Sequence, residues 1–203
     1  VSTRPYNASG RRAAAEERRR RIIAAAARLF GERGWAGTTL AEIAAEAGVS
    51  LELLTKTFGT KAALFQAALS QVGFEGYADV AEAFDGLHLD AVEDPERRLD
   101  AIVDFTCATM ERLAPLVPVL VSGAEQNPVL RDAMLAARAA HARSSAAAVR
   151  VLVGVTAPED APDEVYVLTR AETYLAFVQQ RGWEPLRYAA WLRRSLRQAV
   201  ALD

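Results

Sequence analysis

One stretch constrains this chain more than any other: residues 38–61, "TTLAEIAAEAGVSLELLTKTFGTK". Thr39 with Glu42 three residues later is the pattern of a capping box, where each side chain satisfies a free amide at the start of the helix. Leu40, Ile43, Ala44 and Ala47 then give that helix a single apolar face. Gly48 suits the left-handed turn of a sharp helix exit. Val49 can plug the corner, and Ser50 is a good N-cap for a second helix with Leu54 and Phe58 facing inward. Gly59 ends that helix, Thr60 caps again, and Lys61 opens a longer one whose buried side holds Leu64, Phe65, Ala68, Leu69 and Val72. Two short helices joined by Gly48, Val49 and Ser50 make a helix-turn-helix. Ala44 is small where the two helices would approach. An ordinary helical hairpin is the competing reading of the same pattern.

Upstream, Ile22, Ile23, Ala26, Leu29 and Phe30 recur at helical spacing, and Gly31 and Gly34 are expected to end that helix. Residues 1–12 have no periodicity and read as a flexible arm. The chain has 203 residues, 51% of them hydrophobic, and only eight prolines, a composition that favours helices. A single cysteine, Cys107, excludes an intramolecular disulfide framework and fits a reducing compartment. With no long uninterrupted apolar run and no apolar core of a signal peptide, a soluble cytoplasmic protein is expected.

The net charge of −2 conceals an asymmetry. Residues 1–70 carry eleven basic and six acidic side chains, whereas residues 71–203 carry thirteen and twenty. A basic front end suggests a polyanionic partner, although the run "EERRRR" at 16–21 also reads as a solvated helix face. Both lysines of the chain, Lys56 and Lys61, fall inside the constrained stretch.

The segment from Ile22 to Leu69, with "AAAARLFGERGWAGTTLAEIAAEAGVS" and "FGTKAALF", resembles the DNA-binding domain of TetR-type (tetracycline-repressor-like) regulators. The resemblance implies an all-α protein. A three-helix helix-turn-helix DNA-binding domain with its arm, residues 1–62, would precede a helical ligand-binding and dimerisation domain, residues 63–203. It implies a homodimer on palindromic double-stranded operator DNA, most simply a repressor released by a small-molecule inducer of unknown identity. Thr38 and Thr39 at one helix N-terminus, and Thr60 and Lys61 at another, are the expected phosphate clamps. On the second short helix Ser50, Leu51, Glu52, Thr55 and Lys56 face away from Leu54 and Phe58. Lys56 can reach a guanine or a phosphate, Leu51 a thymine methyl, and Glu52 a cytosine amino group. Glu52 pairing only with its own helix dipole stays open. Many family members carry a tyrosine at the position of Thr55 and a small residue at that of Glu52, so base preference does not transfer.

Beyond residue 72 the pattern predicts a loop over 73–94, helices over 95–113, 116–126 and 128–153, a linker at 155–162, and helices over 163–182 and 185–202. Phe105, Met110, Leu113, Tyr174, Phe177 and Trp183 are candidate walls of a ligand pocket, with core packing as the other reading. Val165, Leu168 and Leu175 in one late helix, and Leu192 and Leu196 in the next, form stripes expected to meet a second copy. Cys107, His88 and His141 are scattered and joined by no catalytic or metal motif. No enzyme activity, cofactor, metal or membrane partner is expected, and a non-enzymatic helical adaptor is the alternative.

Overall fold

In the computed structural model residues 8–202 are described, and every regular element among them is helical. The chain divides into two compact units, Val1–Ala68 and Leu69–Asp203.

The N-terminal unit holds α1 (Ala8–Arg33), α2 (Leu40–Glu46), α3 (Leu51–Phe58) and the first turns of α4 (Lys61–Phe74). Helix begins at Ala8, so Arg11 and Arg12 lie on α1 rather than on a flexible arm, while residues 1–7 of that expected arm fall outside the described residues. α1 runs through Gly31 and ends at Gly34, which has φ +70°. Its buried face, Ile22, Ile23, Ala26, Leu29 and Phe30, meets Ile43, Ala44, Leu54, Leu64 and Phe65 in one core. Phe30, Trp35 and Phe65 form an aromatic trio with centroids 4.9–5.9 Å apart. Removing such faces from water is the main stabilising term, roughly 1.5–3 kcal/mol per large side chain.

The C-terminal unit is built differently. α5 (Val80–Asp85), α6 (Pro95–Leu113), α7 (Val117–Gln126), α8 (Pro128–Val153), α9 (Ala161–Leu168), α10 (Ala171–Tyr174) and α11 (Pro185–Ala199) follow one another, with a π-helical stretch at Leu175–Gln180 and single 3-10 turns after α5 and α8. α8 is the hub, packing on α5, α6, α7 and α9, while α11 packs on α6 and α9. Arg193 and Arg197 tie α11 to α6 through Glu96 and Asp100 at 2.5–2.6 Å. Near the end of α4 a Cβ on Gly73 would lie 2.5 Å from a methyl of Leu113, so a larger residue there would force Leu113 to move.

Two expectations are corrected here. The loop at 73–94 contains α5, because the Asp79 carboxylate accepts from the amides of Ala81 and Glu82 and Glu82 accepts from the amide of Ala78. The helix expected over 163–182 breaks at Thr169. Its hydroxyl donates to Val165 O at 2.7 Å, and Arg170 turns extended with ψ 150°. Beyond the break the chain closes through π-type bonds, such as Arg181 N to Ala176 O at 3.1 Å.

Candidate functional site

The helix-turn-helix is assembled from local chemistry. Thr39 caps α2. Its hydroxyl accepts from the Glu42 amide at 3.2 Å and donates to the Glu42 carboxylate at 2.7 Å, and that carboxylate also accepts from the Thr39 amide. The Thr39 hydroxyl, then its amide, hold Glu42 below the usual carboxylate range. Gly48 makes the exit with φ +65°, and Ser50 Oγ accepts from the Leu53 amide at 3.1 Å to start α3. Leu54, 0% exposed, anchors α3 in the core. Its opposite face is open: Ser50, Leu51, Glu52, Thr55 and Lys56 are all exposed, Leu51 at 47%. Glu52 and Lys56 stand one helical turn apart yet make no ion pair among the described residues, which leaves both charges available to a partner. The Thr55 hydroxyl donates back to Leu51 O at 2.8 Å and so occupies its only donor. Phe58 is half-buried, with the Arg19 guanidinium 4.9 Å over its ring.

The clamp residues divide. Thr60 is exposed and caps α4 by accepting from the Ala63 amide at 3.1 Å. Thr38 is 1% exposed, and its hydroxyl is placed between Leu29 O and Gly34 O, both acceptors. Its side chain ties the turn after α1 and does not reach outward, which corrects its expected role. Lys61 lies half-buried, its ammonium bonded to Trp35 O and 4.4 Å over the Trp35 ring. Burial lowers its pKa, opposed by the nearby Glu42 carboxylate. The chain thus stores this cation against the turn that precedes α2, and a phosphate there would have to draw it out.

In the C-terminal unit a cavity of about 160 Å³ is walled by apolar side chains, Phe74, Met110, Leu113, Leu120 and Met134 among them, with Arg138, His141, Tyr166, Thr169, Arg170 and Glu172 supplying polar groups. Arg138 and His141 of this set come from α8 and Tyr166 from α9, while Thr169 and Arg170 come from the break between α9 and α10 and Glu172 from the first turn of α10. Arg170 and Glu172 form a two-bonded pair at 2.8 and 3.2 Å. A smaller cavity of about 30 Å³ shares Val80, Met110, His141 and Thr169 with the first and adds Phe105 and Thr109.

Of the expected pocket residues, Met110, Leu113 and Phe105 line these spaces. Tyr174, Phe177 and Trp183 line neither, which corrects their expected role. Phe177 meets Trp183 and Trp191 at centroid distances of 4.5 Å, and Tyr174 meets Tyr188 at 5.1 Å, an aromatic cluster that packs α10 and the π-helical stretch onto α11. The expected dimer stripe is corrected too. Leu192 and Leu196 are 0% exposed and Val165 is buried, all within the core of their own unit. Leu168 and Leu175 are only half-buried. The apolar side chains most open on these helices are Val167 and Leu186, the latter 86% exposed.

The other reactive types have ordinary surroundings. Burial, then Asp104 and Glu111, push the Cys107 thiol up to about 11, so it stays protonated and poorly nucleophilic. Among the described residues no group of three His, Cys, Asp or Glu could hold a metal ion, and no helix is long and apolar enough to cross a membrane.

The class defined by this geometry is a two-unit, all-helical protein with an N-terminal helix-turn-helix. Its family resemblance is to the bacterial regulatory proteins of the tetR family, whose model matches residues 22–68. Solved structures extend the likeness in fold to nearly the whole chain. A candidate transcriptional regulator from Pseudomonas aeruginosa PAO1 superposes with TM-score 0.71 at 18% identity, covering 92% of each chain. A candidate TetR-family regulator from Rhodococcus sp. gives 0.70 at 20%, covering 91% of this chain and 99% of that one. NalD of Pseudomonas aeruginosa, the secondary repressor of the MexAB-OprM multidrug efflux pump, gives 0.60 at 19%, covering 93% and 98%. No curated protein matches the sequence. The chain therefore has the fold of a TetR-family transcriptional regulator, with the family's helix-turn-helix domain at its front.

Proposed function

We propose that this chain is a ligand-responsive transcriptional regulator that binds a palindromic operator as a homodimer and represses by excluding polymerase until a small-molecule inducer releases it. The observation that carries the reading is the outer face of α3. A capped helix, pinned by one fully buried leucine, presents Leu51 with an unpaired acid and an unpaired base on a surface nothing else covers. Leu51, Glu52 and Lys56 are the readers; Ser50, Thr60 and Lys61 hold the phosphate backbone, together with amides at the starts of α2 and α4, while the Thr39 and Thr55 hydroxyls have their protons engaged by Glu42 and by Leu51 O. One eight-residue helix spans too few base pairs for a specific site. A two-fold dimer sets two of them about 34–36 Å apart, or somewhat more, on successive major grooves. The copies meet through the open faces of α9, the π-helical stretch and α11, with Val167, Leu168, Leu175 and Leu186, since Leu192 and Leu196 are taken by the core.

Selection of bound duplexes from a random library by the full chain tests this reading. A two-fold symmetric site should emerge, and sedimentation should give a dimer at micromolar concentration. A monomer with no enriched sequence would favour a helical adaptor instead.

A further inference from the structure

Two neighbouring chambers of the C-terminal unit, which share Val80, Met110, His141 and Thr169 in their walls, differ in chemistry. The larger, at about 160 Å³, is close in size to cavities of roughly 150 Å³ that hold one benzene-sized molecule. The smaller, at about 30 Å³, has room for a single water or polar ligand group. Donor and acceptor accounting fixes what that group meets. Thr169 has one hydroxyl proton, and Val165 O at 2.7 Å can only accept it. The His141 Nε2 at 2.9 Å must therefore donate to Thr169 Oγ1. His141 then carries its proton on Nε2, and Nδ1 is a bare acceptor with no partner among the described residues. Burial, then the Arg170 charge, hold the ring neutral, with its pKa lowered to about 4 against the weaker pull of Glu172. Thr109, 1% exposed, lines the same small chamber, and its hydroxyl is buried without a partner. Such an orphan asks for a guest. Ser144 and Ser145 offer nothing more, since both hydroxyls donate to His141 O at 2.9 Å.

Charge narrows the class further. The Arg170 guanidinium is already paired with Glu172, and Arg138 is an exposed residue on the wall of the larger chamber. A cationic ligand would meet a positive wall whose one carboxylate is taken. A carboxylate in the small chamber would find only neutral groups and lose its hydration without replacement.

We propose that the cavity takes a compact, un-ionised, mainly apolar molecule with one hydroxyl group, a phenol or small alcohol, whose hydroxyl enters the small chamber, donates to His141 Nδ1 and accepts from Thr109 Oγ1. This inference rests on the sensing role proposed above only for its regulatory consequence.

Calorimetry of the full chain at neutral pH with 4-ethylphenol, ethylbenzene, 4-ethylbenzoate and phenyltrimethylammonium tests it. The phenol should bind about tenfold or more tighter than ethylbenzene, as expected for a buried hydrogen bond made rather than left open, and the two ions should bind weakest. Thr109→Val and His141→Phe should each bring the phenol toward ethylbenzene while leaving ethylbenzene within about twofold. The wild-type ranking decides even if a variant misfolds. Equal affinity for phenol and ethylbenzene, tightest binding by the benzoate with loss in Arg138→Ala, or binding of no probe would each overturn the proposal. Release of the selected duplex is measured separately. Binding in the expected order without release would sink the sensing role and leave the ligand class standing.

Discussion

The two units achieve stability by different means. In the N-terminal unit short helices are delimited by side chains at their own ends: Thr39, Ser50 and Thr60 cap, and Gly34, Gly48 and Gly59 turn at positive φ. In the C-terminal unit Asp94 and Asn127 also cap the long helices α6 and α8, but these are held besides by what lies across from them, and the chain tolerates a broken helix, a π-helical stretch and a cavity. Local determination suits a rigid reading head whose exposed face must keep its geometry. Determination by packing suits a unit with room for a guest.

The largest effect expected from this contrast is in the C-terminal core. Leu192→Asp puts a charge where no solvent reaches, at a cost of several kcal/mol, enough to unfold that unit. Tryptophan fluorescence, which includes Trp183 and Trp191, should show the loss; a native spectrum with dissociation alone would return Leu192 to an interface. Next comes pH. Between about 6.5 and 4 the unfolded chain takes up a proton at His141 that the folded chain refuses, so stability is full above that window and falls as the pH drops through it. Denaturant unfolding of wild type should lose on the order of 2 kcal/mol more than His141→Gln between pH 7 and 4.5; parallel curves would mean the ring is not held neutral. A smaller effect belongs to the reading head. Thr39→Ala should lower stability by about 1 kcal/mol, because it removes one cap and frees the Glu42 carboxylate. Thermal unfolding within a few tenths of wild type would show that the capping box matters little. Lys61→Ala should weaken binding to all duplexes alike and lower the salt slope by roughly one. An altered sequence preference would instead make Lys61 a reader.

The same contrast explains what could be read from the residues alone. The helix-turn-helix was legible because its signals are local: a capping box at Thr39 and Glu42, a glycine exit, a serine cap. α5 carries an equally local signal, Asp79 with Glu82 three residues on, but it opens only a short helix in a segment with no apolar periodicity around it. The break at Thr169 has no glycine or proline to announce it, only a hydroxyl competing for Val165 O. Thr38 and Lys61 stand at helix starts, where phosphate contact is the natural inference, but burial and the Trp35 ring, features of packing, draw both inward. Leu192 and Leu196 form a helical stripe whichever surface it meets, and periodicity alone does not distinguish the unit's own core from a second copy.

The outer face of α3 is the point on which the account turns. Its most direct test is the binding preference of a Glu52→Ala, Lys56→Ala double variant, measured against the duplex selected by wild type and single-base variants of it. Both side chains are exposed and unpaired, so the variant should unfold at the wild-type temperature within a degree or two. It should keep salt-dependent binding to any duplex and lose about 1–3 kcal/mol of discrimination at one or two base pairs of each half-site. An unchanged preference in a folded double variant would contradict the account and place sequence reading outside α3.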